Sequence, residues 1–557
     1  MTAEFTARHA TDDPRRPFGR PAGDGPAPSM AHDLDDRAAL LRAATVIIVA
    51  GALVRLGLAA LLDPGVDEAY AMAVAGQWQL SWFDHPPMAF WWVKAMRELA
   101  NPFWGEDVPV VVLRLPFVLA FTATSAVMFD LTFRRWGPRA GLWMLLALSL
   151  APFFLVSAGS WMVPDGPLLL FLALTAWLLD QILHSASEPA RRRRLWLAAG
   201  LTLGFAGLSK YHALLFALGA AAFILATPHR SQLKTSAPWL AIAIAGATVS
   251  PILFWNAEHD WVSFSFQSSR GFGSDGPDWA GFARALLGQL AYLGPWTLVA
   301  SSAALSWRLR AEDKRSGSTA FLAAIGLPTI VVFTMVPVWG GAALPHWQMP
   351  GWLFLLPVLG HAIAELETRH RKPSRLARSF AATAAALLAL VIIAVTLIRF
   401  APPSPTVIAR LGLGSFLQES MTWRGLAESL TERGLLPATA QRTTMPKERP
   451  LVVAFRWIDA SRLAEVLGSR ATVIAIGDDP RGFAFLADSA EWLGRDVLFI
   501  GRPGTFTRGL GAVEPHFARI DRKVPIPVLI GDQTLFQVDV ALGRRLKSPF
   551  SSPYPGR

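Results

Sequence analysis

The chain has 557 residues, of which 52% are hydrophobic and only 17% are charged, and its mean hydropathy is +0.36. A soluble domain carries about a quarter charged residues, so this balance excludes an ordinary soluble protein and indicates one that spans a membrane. The absence of cysteine excludes disulfides and cysteine-ligated metal sites.

The formal net charge of +11 follows a pattern typical of membrane loops rather than of nucleic-acid binding. The positive residues lie in short clusters between apolar runs, at 191–195, 308–315 and 367–378. Cytoplasmic loops of multi-spanning proteins carry such clusters, whereas a nucleic-acid-binding domain presents a basic face with interleaved aromatic residues. The charge pattern therefore predicts that these basic loops lie on the cytoplasmic side of a membrane.

The first residues, 1–38, are rich in Pro, Asp, Arg and Gly, and they are predicted to form a disordered, cytoplasmic N-terminus. The first apolar run begins near Ala38, and no small-residue cleavage site follows it. We therefore expect no removable signal peptide.

Apolar runs long enough to span a membrane, which takes about 20 residues, follow in chain order. They lie at 40–62, 110–133, 139–158, 166–183, 237–255, 282–304, 319–338, 347–364 and 379–400. A further run at 195–227 is too long for one helix and short for two. Two short helices that turn at 209–211 would place every basic loop on the side of the N-terminus. This interpretation obeys the positive-inside rule and predicts about 11 transmembrane helices over residues 39–400.

The character of the chain changes after Phe400. The segment "APPSP" at 401–405 is typical of a linker, and no later apolar run is long enough to span. Buried strands are predicted at 451–455, 471–477 and 496–501, with a helix between the first two. Alternating strands and helices predict a soluble α/β domain over residues 401–557, on the outer, periplasmic side of the membrane.

The same topology places the unusual polar segments on the outer face. These segments are "DEAY" (67–70), "FDHPP" (83–87), "VPDGP" (163–167), "SKY" (209–211), "WNAEHDW" (255–261) and "LPHW" (344–347). Chance would scatter such residues over both faces, so their convergence predicts a site there.

The acidic residues of these segments are candidates for catalysis. Asp67 and Glu68 follow the first span and suit either a helix cap or a carboxylate pair that contains a general base. Asp165 opens a span and either caps that helix or faces a cavity.

Cations in the outer segments are candidates for binding phosphate. Lys210 interrupts an apolar run, which is costly unless the ammonium snorkels to the headgroups or meets an anion. Tyr211 can donate to the same group, and Arg270 follows in the next outer loop. In "FDHPP", the prolines fix a turn that orients Asp84 and His85.

A divalent metal ion is a further alternative for these segments. Asp84, His259 and His346 share the outer face and have side chains that bind metals, although their spacing matches no metal motif. His85 has three alternatives: phosphate contact, metal ligation with Asp84, or fixing of its loop.

Five segments, in this order, resemble glycosyltransferase family 39, a group of membrane enzymes of the GT-C type. They are "DEAY…WFDHPPM", "PDGPLLLFLAL", "GLSKYHALLF", "WNAEHDWVSFSFQ" and "PHWQMPGW", and the resemblance covers roughly residues 40–360. The group is related to protein mannosyltransferases and to the lipid A aminoarabinose transferase. Within the group, the chain most resembles the bacterial branch that includes the galacturonic acid transferases of lipopolysaccharide.

The resemblance implies a polyprenyl-phosphate sugar donor that is used at the periplasmic face of the bacterial inner membrane. It implies a base role for Asp67 with Glu68 beside it, and it matches Asp165 and Lys210 to their motifs. The aminoarabinose transferase has Phe-Glu-Lys-Pro where this chain has Phe83, Asp84, His85 and a proline. A phosphate-binding role therefore does not transfer directly to His85.

The predicted function is transfer of a sugar, with inversion at the anomeric carbon, to lipid A, lipopolysaccharide, another glycolipid or a protein. Membrane lipids are expected partners, and nucleic acid is not. The alternatives are a lipid or solute transporter or flippase, an oligosaccharide ligase and a non-catalytic scaffold. A transporter is expected to show paired broken helices or internal repeats, and no sustained repeat is visible in the sequence.

Overall fold

The computed structural model describes residues 30–185, 188–271, 276–311, 317–370, 375–400, 404–410, 412, 414–437, 448–486, 489–530, 532–551 and 553–554. Most of the predicted disordered N-terminus therefore lies outside the described residues. Its predicted end at residue 38 falls inside the first helix, which begins at Met30. Residues 31–38 are rich in Ala, Asp, Leu and Arg, and the Ala, Leu and Arg among them are good helix formers that extend this helix beyond the apolar run.

The part of the chain before Phe400 is helical. Its helices are α1 (Met30–Leu61), α2 (Val66–Val74), α3 (Met88–Trp104), α4 (Val110–Leu150), α5 (Ala158–Ser160), α6 (Asp165–His184), α7 (Pro189–Ser209), α8 (Ala213–Ala226), α9 (Ser236–Glu258), α10 (Val262–Gly271), α11 (Trp279–Leu293), α12 (Pro295–Ala311), α13 (Ser318–Met335), α14 (Met349–Leu353), α15 (Leu356–His370) and α16 (Arg375–Phe400). The apolar stripes of α1, α4, α6 and α15 pack together in its core.

Within the described residues, six helices are long and apolar enough to cross a membrane, or seven if a pair bent by 103° is one span. They are Arg37–Leu61, Val110–Leu150, Asp165–His184, Ser236–Glu258, Ser318–Trp339 and Met349–Arg369, and the bent pair is Ala213–Ala226 with Pro228–Lys234. The chain is thus a multi-spanning helical membrane protein, and the figure of about 11 spans stays a prediction.

Three breaks decide how the predicted runs fold. Lys210 is extended (φ −162°, ψ 145°) between α7 and α8, which confirms the predicted turn between two short helices. Gly137 (φ +85°) breaks α4 between the two predicted runs 110–133 and 139–158. The run predicted as a span at 282–304 is not one continuous helix, because Gly294 (φ +89°) separates α11 from α12 in a conformation that favours glycine.

The C-terminal part contains a mixed five-stranded sheet with the order β2-β1-β3-β5-β4. The remaining elements are α17 (Pro405–Arg410), α18 (Gly414–Ser420), α19 (Leu426–Glu432), β1 (Leu451–Ala454), α20 (Trp457–Leu467), β2 (Thr472–Ala475), β3 (Val497–Gly501), α21 (Pro503–Val513), β4 (Phe517–Ile530) and β5 (Gln533–Leu546). β1, β2 and β3 are parallel and confirm the three predicted strands, whereas the antiparallel hairpin of β4 and β5 was not predicted.

This sheet domain rests on the segment of the membrane domain that follows α1. α2 packs against α20, and the Tyr70 ring lies 5.5 Å from the ring of Trp457 and 5.9 Å from that of Phe483. The Arg462 Nη1 donates to the Pro64 carbonyl oxygen at 2.9 Å. A continuous apolar cluster therefore joins the two domains beside the segment that carries Asp67.

Candidate active site

The α2 helix presents the predicted acid pair at its first turn. Gly65 precedes the helix in an extended conformation, and its backbone N–H donates to Glu68 Oε2 at 2.9 Å. The carboxylate thus satisfies a backbone donor that the helix start leaves without a partner. The side chains of the two acids differ in environment: Glu68 is buried, whereas Asp67 has solvent-accessible surface.

Glu68 is fully engaged inside the protein. Arg114 donates to both of its oxygens, from Nε at 2.8 Å and from Nη2 at 2.6 Å, and the Met162 backbone N–H donates at 2.9 Å. Arg114 also donates to the carbonyl oxygens of Ala59 and Leu62. A buried ion pair with this many hydrogen bonds fixes geometry, so the structure favours a positioning role for Glu68 over direct catalysis.

Asp67 differs, because its carboxylate forms no hydrogen bond or ion pair with any residue of the described ranges. Its side chain has solvent-accessible surface, yet the surrounding protein removes much of its hydration. This desolvation is the largest influence on the pKa of Asp67 and raises it above the ordinary 3.8. The nearby cations Arg481 and Lys210 act to lower this pKa, and the Asp84 and Glu68 carboxylates reinforce the rise. Asp67 is therefore a free carboxylate of raised proton affinity.

Asp84 of the "FDHPP" segment is a buried partner of Tyr70. The Tyr70 hydroxyl donates to Asp84 Oδ1 at 2.8 Å, and it accepts from the Gly482 backbone N–H at 3.0 Å. Asp84 Oδ2 lies 3.9 Å from His85 Nε2 and 3.8 Å from an Arg481 guanidinium nitrogen. Asp84 thus connects the membrane domain to the sheet domain.

Asp165 and Lys210 form a buried ion pair. Lys210 Nζ donates to both carboxylate oxygens of Asp165, at 3.0 and 2.9 Å. The break between α7 and α8 places Lys210 opposite the first residue of α6. Both predicted residues are therefore together, although Lys210 is not a free cation and Asp165 is not a free base.

His85 and His346 are electrically neutral near pH 7. Burial lowers the pKa of both His85 and His346 to about 4, with Asp84 opposing the shift at His85 and Lys210 adding to it at His346. A neutral imidazole can donate one N–H to a phosphate oxygen, but it brings no charge. His85 can therefore donate a hydrogen bond to a phosphate but cannot neutralise its charge.

The other predicted phosphate ligands have partners in the outer segments. The Tyr211 hydroxyl lies 3.1 Å from the Ser263 hydroxyl. The Arg270 guanidinium lies 4.8 Å from the centroid of the Trp347 ring and 5.6 Å from that of Phe266. Its charge is near enough to the histidines to lower the pKa of both.

The residues predicted as metal ligands do not form a ligand set. Within the described residues, no group of three or more His, Asp or Glu side chains is placed to hold a metal ion. His259 stacks on Trp255 with 4.1 Å between ring centroids, and His346 stacks on Phe153 at 6.2 Å. Asp84 bonds to Tyr70 instead. The donor set therefore does not fit the predicted metal site.

Arg481 of the sheet domain is a site residue that the sequence analysis missed. It lies in the loop after β2, with its guanidinium carbon 3.8 Å from the centroid of the Trp457 ring, and its charge acts on Asp67. One feature of the sequence could have indicated it. The turn "GDDPRG" (477–482) follows the carboxyl end of a parallel strand, which is where open α/β sheets bind ligands.

Comparisons with known proteins agree with the predicted resemblance. Residues 84–255 match the sequence profile of the family described as dolichyl-phosphate-mannose-protein mannosyltransferase. The lipid A galacturonosyltransferase RgtD of Rhizobium johnstonii is 28% identical over 195 residues, which are 35% of this chain and 39% of that protein. The match therefore spans less than half the length of that relative.

The fold is also similar to that of a solved protein. The crystal structure of ArnT from Cupriavidus metallidurans bound to undecaprenyl phosphate gives a TM-score of 0.60 at 16% identity, over 89% of this chain and 97% of that one. The apo structure of the same protein gives 0.59 at 17% identity over the same shares. The predicted resemblance to the GT-C glycosyltransferases is thereby confirmed.

Proposed function

We propose that this chain, a relative of the GT-C glycosyltransferases by sequence and by fold, transfers a sugar from a polyprenyl-phosphate donor to a lipid A-type glycolipid at the periplasmic face of the inner membrane. One observation carries the proposal: Asp67 is a carboxylate without a partner among the described residues, and the charges of Lys210 and Arg481 act on it. Free carboxylates and cations together suit acid–base chemistry beside a phosphate leaving group.

The reaction balances as a single displacement. The acceptor hydroxyl attacks the anomeric carbon, a new C–O bond forms, and the hydroxyl proton passes to Asp67. The bond between the anomeric carbon and the donor phosphate oxygen breaks, and its electron pair leaves on the polyprenyl phosphate. Attack opposite the leaving group inverts the anomeric centre. Where the acceptor is itself a phosphate, Asp67 orients the attack rather than taking a proton.

The leaving phosphate needs cations at the edge of the membrane, because its lipid tail lies in the bilayer. An ammonium has three N–H donors, so Lys210 keeps a donor for phosphate while it is paired with Asp165. Arg270 adds a permanent charge, and Tyr211 and neutral His85 add N–H or O–H donors. Asp165 then positions Lys210. No step is assigned to a metal ion, since the described donor set does not fit one.

Similar proteins support both the proposed donor and the proposed acceptor. A protein of the same fold has been solved with undecaprenyl phosphate, which is the leaving group proposed here. A relative over part of the chain is named for transfer of galacturonic acid to lipid A. The transporter alternative gains no support, because the matched family and the matched relative are both named for sugar transfer.

Deletion of the gene in its host, followed by mass spectrometry of lipid A and envelope glycans, tests the proposal. We expect the loss of one defined sugar mass, and restoration by the wild-type chain but not by Asp67→Asn or Lys210→Ala. Asp532→Asn, which changes an exposed acid of the sheet domain, is the matched control and should restore the mass. Full restoration by both site variants would contradict the assignment.

A further inference from the structure

The guanidinium of Arg481 reaches the site without a hydrogen bond to hold it. Its Nε is buried and has no hydrogen-bond partner in the described residues. Its ion pairs are long, 3.8 Å to Asp84 and 3.6 Å to Asp479. A guanidinium has five N–H donors, and a buried N–H such as that of Nε is costly to leave without an acceptor unless a ligand supplies one.

The backbone at Arg481 is held in an unfavourable conformation. Its φ of +48° lies in the left-handed region that residues with a Cβ rarely adopt. The Arg481 N–H donates to the Tyr554 hydroxyl at 3.0 Å, and the next N–H, of Gly482, donates to the Tyr70 hydroxyl at 3.0 Å. The Trp457 ring, 3.8 Å away, supports the guanidinium from one side. Strain that is fixed from several sides is typical of ligand-binding positions.

The proposed chemistry assigns the charge of Arg481 an effect on Asp67 but gives it no contact with the donor phosphate. Lys210 is paired with Asp165, and it lies with Arg270 in the outer segments of the membrane domain. His85 is neutral. Arg481 comes instead from the sheet domain, which covers the outer side of this region. Because it comes from the domain that carries none of the proposed phosphate ligands, Arg481 is available for a second anion.

We propose that Arg481 binds an oxyanion of the substrates other than the donor phosphate. The shared chemistry is a carboxylate or phosphate held by the planar N–H fork of arginine. It has two sources: the carboxylate of an acidic sugar on the donor, or a phosphate on the acceptor glycolipid. Arg481 is then a specificity-determining residue contributed by the sheet domain. This inference rests on the proposed function, since both sources are its substrates.

Matched substrates separate the two sources. The purified full-length protein is given polyprenyl-phosphate galacturonic acid or polyprenyl-phosphate galactose, which differ only in the carboxylate. Each donor is paired with bis-phosphorylated or dephosphorylated lipid A. The assays are run on the pH plateau, where Asp67 is ionised in both proteins. For Arg481→Gln we expect kcat/KM to fall by about 10- to 100-fold more for the substrate that carries the recognised anion than for its neutral counterpart. Arg481→Lys should recover part of the loss, because it keeps the charge but not the fork.

The exposed Arg508 of the same domain provides the control, and Arg508→Gln should match the wild type with all four combinations. An unchanged kcat/KM for Arg481→Gln overturns the inference. An equal loss for all four combinations also overturns it, because the residue would then act on the donor phosphate or on folding. A loss confined to one donor or to one acceptor identifies the source.

Equilibrium binding of the same four substrates is measured in parallel. Absence of transfer by the wild-type protein would contradict the proposed function but not this inference, provided that Arg481→Gln still weakens binding of the acidic partner alone. Equal binding of acidic and neutral partners by both proteins would overturn the inference even where transfer is observed.

Discussion

At the scale of single residues, Asp67 determines the expected pH dependence of transfer to a hydroxyl acceptor. Only its ionised form can accept a proton, so kcat/KM should rise as pH increases through its pKa. Because burial raises that pKa above 3.8, the acidic limb should lie above the range of an ordinary aspartate. The limb is measured in the wild type and in Asp67→Glu, and Asp67→Asn should abolish the pH-dependent activity. A limb that persists unchanged in Asp67→Asn would assign the base to another group.

Glu68 and Arg114 are expected to control stability rather than the pH limb. Removing one partner leaves the other charge buried and unpaired, so Glu68→Gln should lower the free energy of unfolding by about 3–5 kcal/mol. In a double-mutant cycle with Arg114→Met, the double variant should lose less than the sum of the single losses. Thermal unfolding in detergent measures both effects. Additive losses would contradict the coupling between Glu68 and Arg114. A stable but inactive Glu68→Gln with a displaced pH limb would instead support direct catalysis by Glu68.

At the scale of elements, the contact between α2 and the loop after β2 is expected to be essential for activity. A Cβ at Gly482 would overlap the Tyr70 hydroxyl and would lie 3.4 Å from Val74 Cγ1. Gly482→Ala should therefore push α2 and Asp67 from their places and cost about 1–3 kcal/mol of stability. Gly511→Ala in α21 is the control, since a Cβ there meets nothing within 4 Å. Transfer activity and unfolding temperature are compared, and equal behaviour of the two variants would contradict the coupling.

Three features of the fold show what local sequence could and could not predict. The break at Lys210 was predictable because a charge in an apolar run forces a choice of topology. The β4 strand was not, because Pro525, Pro527 and its charges are atypical of a central strand. The structure places it at the sheet edge, where proline is tolerated. The Tyr70–Gly482 contact joins residues 412 positions apart, and no local pattern specifies such a distance.

The residues of the candidate site were likewise predictable from the sequence only in part. Asp67, Asp165 and Lys210 stand out because ionisable residues beside apolar runs are costly without a function. The pairing of Lys210 with Asp165, and of Glu68 with Arg114, depends on helix packing and is visible only in three dimensions. The role of Arg481 depends on how two domains meet. Sequence thus identified the charged residues of the membrane domain, and packing determined which of them remain free.

At the scale of the whole molecule, orientation in the membrane is the remaining prediction, and the absence of cysteine makes it directly testable. Arg508→Cys lies on the sheet domain and Arg193→Cys in the basic cluster at the start of α7, and both positions are exposed. The positive-inside rule places the cluster in the cytoplasm and the sheet domain outside. A membrane-impermeant maleimide should label Arg508→Cys in intact spheroplasts and Arg193→Cys only after lysis. The wild-type chain controls for background, and activity of each variant controls for folding. Labelling of Arg193→Cys before lysis would reverse the topology and move the proposed reaction to the cytoplasmic face.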